Sequence, residues 1–333
     1  MLNDAAHCQV GHCVGVHMTF QAKPLFAALF VAGTLMLSGC NDDNKPAAQQ
    51  PEAAQVSAEQ QDIAKYNAFI DAANGVSYAQ DLANHLKYYA DDIKNKKPLT
   101  NYSVVNTYNI KTTREELEKA LALPGNLPEL DATGKPLKDA LAKLEPINTE
   151  LDNYAKSKGY LADDGKKAQE KEAEFVSALT EVAKTQNAFF EAIAKRDEIN
   201  TRTAFEKAPK DTIEYYRAGL ILYAKQAANR SDAFFETKGE QKATDAFKES
   251  LNNTAEMVDG WNKKVTEAKP GGCSSLMMAM NSFLSSGRNA ISHATRGDYQ
   301  HGQGMLMGPI QMDAQSFNQD FNNLINKLNE QRC

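Results

Sequence analysis

Apolar residues recurring every three or four positions from Glu59 to the end of the chain set the strongest limit on its fold. Ile63, Tyr66, Ile70 and Ala73 begin the pattern, and Leu82, Leu86 and Tyr89 carry it on. That spacing puts one apolar stripe on a helix and is incompatible with the two-residue alternation of a half-buried strand. The best strand candidate, Tyr102 to Tyr108, is short and isolated. The chain therefore reads as all-α.

Breakers divide the pattern. Lys96-Lys97-Pro98 ends the first helix, in which Gly75 marks a bend or interruption, and a polar connection follows from Pro98 to Ile110. Thr113-Arg114-Glu115-Glu116 has the form of a capping box opening a short helix, which stops at Pro124-Gly125. A further helix is expected from Pro136 to Lys158, kinked or split by Pro146. Asp163-Asp164-Gly165 caps the longest helix, whose face carries Phe175, Leu179, Val182, Gln186, Phe189 and Ile193 and continues towards Phe205. Some forty residues at 1.5 Å each span about 60 Å. The expected architecture is an elongated bundle of about seven or eight helices over 59–333, open to division into two sub-bundles near Pro209.

Beyond Pro209, Ile213, Tyr216, Leu220, Tyr223 and Ala227 mark the next stripe, and Phe247, Leu251, Val258, Trp261 and Val265 another. Helices at Ser275 to Ala294 and Asp313 to Gln331 complete the set.

The amino-terminal 58 residues have a different character. Lys23 introduces an apolar run from Pro24 through Leu37, too short to cross a bilayer of about 30 Å as a helix and of signal-peptide length. It ends at Leu37-Ser38-Gly39-Cys40, which resembles a bacterial lipobox. That resemblance implies cleavage before Cys40 and a lipid of the diacylglyceryl and palmitate type on its sulfur. Residues 1–39 are then a signal, 40–58 a lipid-anchored tether, and the exported domain faces the periplasm from the bacterial cell envelope. Met18 is the better start, which leaves His7, Cys8, His12, Cys13 and His17 upstream of the signal rather than in a metal site. The tether, rich in Ala, Gln and Pro, has little to bury. Asn41 after Cys40, in place of the aspartate of inner-membrane retention, favours the outer membrane, while Asp42 and Asp43 keep the inner membrane open.

Three stretches together resemble the YiiG-like bacterial lipoproteins. They are the lipobox with its tether, the run Lys65-Tyr66-Asn67-Ala68-Phe69-Ile70-Asp71-Ala72-Ala73-Asn74, and the run Tyr160-Leu161-Ala162-Asp163-Asp164-Gly165-Lys166-Lys167-Ala168. The resemblance implies an all-helical exported domain and supplies no catalytic residues.

Chemistry-bearing residues are sparse. With 37 basic and 43 acidic residues, a formal net charge of -6 and no basic stripe, the chain lacks what a nucleic-acid partner requires. In an oxidising compartment the two remaining thiols, Cys273 and Cys333, are expected to form a disulfide. Met277, Met278, Met280, Met305, Met307 and Met312, with His293 and His301 nearby in sequence, define a copper alternative, since thioether sulfur suits Cu(I), against core packing as the ordinary use of methionine. The loop from Arg296-Gly297-Asp298 to Gly308-Pro309 lacks the glycine spacing of a phosphate cradle. His85 is expected at the surface or boundary, and Asp91-Asp92 and Asp163-Asp164 at helix ends. The tyrosines, including Tyr78, Tyr88, Tyr89, Tyr154, Tyr160, Tyr215, Tyr216 and Tyr223, suit either helix packing or recognition. No catalytic set, cofactor or metal ligand is assigned. The reading is a non-catalytic envelope interaction module, with a periplasmic ligand- or copper-binding helical module as the alternative.

Overall fold

The computed structural model describes residues 57–74, 76–300 and 308–330. Helices α1 (Ala58–Ala73) and α2 (Tyr78–His85) are followed by a π turn (Leu86–Ala90) and the single turn α3 (Asp91–Lys94). Then come α4 (Thr107–Ala122), α5 (Pro128–Lys156), α6 (Lys166–Lys207), α7 (Ile213–Glu236), α8 (Gln241–Ala268), α9 (Ser274–Thr295) and α10 (Pro309–Asn329). Eight of these have 16 residues or more, and no strand occurs among the described residues. The fold is an all-α multi-helix bundle, as the periodicity requires.

Two hydrophobic cores form, and α6 serves both. Helices α1, α4, α5 and α6 enclose the first around Phe69, Leu117, Leu130, Leu144, Phe175 and Phe189. Helices α7, α8, α9 and α10 close a ring around the second, where Phe247 meets Phe317 edge-on at 5.1 Å and Phe317 lies 5.0 Å from Phe283. At the end of α6, Phe205 stacks on Tyr215 at 4.8 Å and joins the second core. Nearer the middle, Asp197 accepts from Lys225 Nζ of α7 at 2.7 Å and from Tyr66 of α1 at 3.4 Å, linking the two cores.

Helix α1 packs mainly on α4 and α2 on α6, and a buried side chain of α6 fills the break between α1 and α2. Gln186 is 3% exposed; its Oε1 accepts from the Tyr78 backbone N–H at 2.9 Å and its Nε2 donates to the Val76 carbonyl at 2.7 Å. Backbone groups freed by an interrupted helix need partners when buried. An amide supplies both a donor and an acceptor, which explains a glutamine on the apolar face of α6.

Several boundaries depart from the expected ones. α4 opens at Thr107 with Asn106 as its cap, not at Thr113, which is a buried mid-helix residue. The stronger cap is the earlier one, because Asn106 accepts from the Tyr108 N–H at 2.9 Å. α5 starts at Pro128 and runs unbroken past Pro136 and Pro146. Both prolines are exposed, as are Ala132 and Ala142 four residues before them, so the carbonyls each proline leaves unbonded face water. The connection before α4 is less polar in effect than in composition: Leu99, Tyr102 and Val105 are buried, and fully buried Asn148 of α5 donates to the Val105 carbonyl at 2.8 Å.

His85 is corrected from a surface residue to a buried one, 4% exposed, while Leu86 beside it is 46% exposed. His85 shares the α2 face of Tyr78 and Leu82, at spacings of four and three, and that face meets α6. The wider π turn that follows shifts the helical phase, and Leu86 leaves the stripe that 3.6-residue spacing gives it.

Gln186→Leu removes both bonds at the break and strands the Tyr78 N–H and the Val76 carbonyl. A loss of about 1–3 kcal/mol in urea-induced unfolding is expected, with Gln186→Glu, which keeps only the acceptor, falling between it and the wild type.

Candidate functional site

An open groove of about 800 Å³ lies between α9 and α10. Ser274, Asn281, Ser285, Asn289 and His293 line it from α9, at spacings of seven and four that keep one face of a helix in line. Asp313, Ser316 and Asp320 line it from α10. Short side chains on this outer face leave the channel open, while Phe283, Phe317 and Leu324 on the inner faces fill the second core. The lining contains neither Lys nor Arg.

The chemistry concentrates at one end. Asp313 Oδ2 lies 2.7 Å from His293 Nδ1 and 2.8 Å from the Tyr299 hydroxyl. A carboxylate only accepts, so it fixes the His293 proton on Nδ1 and leaves Nε2 as the free nitrogen in a groove-lining side chain. Tyr299 is 5% exposed, and its hydroxyl also lies 3.1 Å from the Ala290 carbonyl. Burial first, and then the hydrogen bond to Asp313 and its charge, push the Tyr299 phenol well above its usual range. The arrangement orients one imidazole nitrogen and can hydrogen-bond a polar ligand group; among the described residues no serine hydrogen-bonds to His293.

The methionines do not converge. Met278 and His293 are 15 residues apart on α9, about 22 Å along its axis, so they cannot share an ion. Met280 is fully buried in the core, Met278 and Met312 are exposed, and Met305, Met307 and His301 lie outside the described residues. No group of three or more His, Cys, Asp or Glu side chains able to hold a metal occurs among the described residues.

The other expected positions fall as follows. Leu37, Ser38, Gly39 and Cys40 lie outside the described residues, as does Cys333. Cys273, 4% exposed at the start of α9, is disulfide-bonded, and its pairing with Cys333 remains a proposal. Asp163 accepts from Tyr154 Oη at 2.5 Å and from the N–H groups of Gly165 and Lys167, which is capping at the start of α6. Asp92 pairs with Lys97 at 3.0 Å. Tyr78, Tyr154 and Tyr160 are packed in the first core, and Tyr88 is 57% exposed.

Periodicity gave no warning of a second polar centre. His85 Nε2 lies 3.0 Å from Glu172 Oε2, and its ring is surrounded by Phe175 at 4.9 Å, Tyr89 at 5.7 Å and Tyr102 at 6.4 Å. His85 Nδ1 and the Tyr102 hydroxyl are buried without a protein partner. Burial, and then the Glu172 charge, raise the Tyr102 phenol well above its usual range. The sequence signal that could have marked it is the row Tyr88-Tyr89 and Tyr102, but nothing in spacing alone brings α6 and Glu172 to it.

Fold and groove together define a class: a two-core helical bundle with a polar outer groove and no converging catalytic set among its described residues. Within that class the chain belongs to the family described as protein of unknown function (DUF3829), whose family model covers residues 60–330. No curated protein and no solved structure matches the chain.

A raised phenol stabilises the folded state below the unfolded pKa of about 10 and loses that contribution as pH rises above it. Tyr299→Phe removes the phenol whose ionisation in the unfolded chain drives that loss. Folding stability of the variant, measured by urea unfolding from pH 8 to 11, should therefore fall less steeply above pH 10 than that of the wild type.

Proposed function

We propose that this is a lipid-anchored protein of the bacterial cell envelope, of the YiiG-like lipoprotein kind, that holds its bundle in the periplasm as a non-catalytic interaction module. The anchoring half rests on the basic, apolar and Leu37-Ser38-Gly39-Cys40 succession, with the outer membrane favoured by Asn41. The interaction half rests on one observation: the hydrogen-bonding groups of the α9/α10 groove are spread from Ser274 to His293, about 28 Å, rather than gathered around one reacting atom. A surface laid out along a line suits an extended face of an envelope protein partner. Pairing of Cys273 with Cys333 would tie the chain end to the start of α9 and so brace that face.

Fractionation of cells carrying the full chain tests the anchor. The wild type should sediment with membranes and carry a lipid mass on Cys40, and Cys40→Ala should leave the membrane fraction; a wild type without lipid would overturn this half. Proximity labelling from the bundle tests the partner. Asn281→Arg with Ser285→Arg, both on the groove face, should abolish the labelling of a specific envelope protein, and labelling restricted to lipoprotein-sorting components would overturn it.

The oriented His293 nitrogen favours a second reading, a periplasmic module that retains a small polar ligand. A mass excess on the exported domain in native but not denaturing mass spectrometry supports it, and identical masses count against it.

A further inference from the structure

A second groove, of about 530 Å³, lies between α2 and α6, and its character is opposite to that of the first. Ala79, Leu82, Ala83 and Leu86 form one wall; Ala183 and Ala188 contribute to the other, with Lys184 and Glu191 among the polar lining residues. The small alanine side chains leave space between the two helices. Leu86, turned out by the π turn, leaves an apolar side chain 46% exposed at the groove. The apolar wall of Leu82 and Leu86 with the alanines facing it suits a methylene chain.

We infer that this groove receives one acyl chain of the lipid carried by Cys40 of the same molecule. The inference rests on the lipid-anchor reading proposed above. What selects this occupant is where the described chain begins and how much precedes it. Helix α1 runs antiparallel to α6, since Tyr66 meets Asp197, Phe69 meets Phe189 and Tyr78 meets Gln186. Ser57 lies 12 residues before Phe69, and the groove centres near residue 185 of α6, four residues from Phe189, so the path along the two helices from Ser57 to the groove is at most about 24 Å. Cys40 precedes Ser57 by 17 residues, and a flexible coil of that length has an average reach of about 23 Å. The tether thus matches the span, the condition under which an attached group has its highest effective concentration at a site. Groove and bilayer then compete for the same chain, and one acyl chain is sheltered whenever the domain is away from the membrane.

The test uses the full lipidated chain from cells fed a diazirine-bearing fatty acid, purified, freed of detergent, and irradiated as the monomer. Mass spectrometry should place crosslinks from the Cys40 lipid in the peptides spanning residues 78–94 and 180–191 of the same molecule. Ala183→Trp, which fills the groove, should reduce them at least tenfold. Leu86→Lys, at an exposed position that does not threaten folding, should reduce them several-fold. A diazirine lipid on Cys40 that crosslinks elsewhere, to a second chain, or equally well in both variants overturns the groove assignment and leaves the anchor standing. Absence of any lipid on Cys40 overturns the anchor reading and the groove assignment with it.

Discussion

Everything in this architecture depends on α6 remaining one unbroken helix. Its 42 residues reach about 63 Å, more than a single small core can cover. The first core covers the amino-terminal two thirds, through Phe175, Leu179, Val182, Phe189 and Ile193. The rest would expose Phe205 if α7 did not turn back at Ile213 and stack Tyr215 and Tyr223 on it. The second bundle is thus seated by the overhang of the first. Asp197 lies at the join and bonds to both sides, so displacement of α7 would leave a half-buried carboxylate without its lysine.

The same dependence explains which parts of the fold could be read from the sequence. Long helices with uninterrupted stripes, α6 to α8, are legible because each stripe is a local consequence of 3.6-residue spacing, and Pro209, Gly239 and Pro270 punctuate them. Reading failed where a long-range partner decides the outcome. Gln186 looked only like one of the residues marking the α6 face; it is the partner of a backbone break 108 residues earlier in the chain. Pro146 looked like a break, yet its exposed position lets water satisfy the freed carbonyl. His85 looked like a surface or boundary residue because its burial rests on a partner from another helix, Glu172.

Site legibility follows the same rule. His293 was noticed for its proximity in sequence to methionines, but its chemistry comes from Asp313 and Tyr299, brought together by the α9 to α10 hairpin. Chain proximity to Met277 and Met278 meant little, since a helix carries them about 22 Å away. What the sequence could not show is that Ser274, Asn281, Ser285 and Asn289 share a face with a gap beside it. Small polar residues on a helix are ordinary on a solvated face, and only the spacing of the neighbouring helix makes a groove of them.

The two grooves divide the work of the bundle by polarity, and their placement follows from where each core is closed. Around the second core the four helices form a complete ring, so the outer seam of α9 and α10 has no apolar debt and can carry serine, asparagine and aspartate. In the first half α2 packs on α6 alone of the long helices, which leaves its flank uncovered at Leu82 and Leu86. An amphipathic helix with one long partner cannot hide a full apolar stripe. Greasy surface at the α2 flank and polar surface at the α9/α10 seam are therefore consequences of topology. It is that division that would let one end of the molecule hold lipid while the other engages a protein.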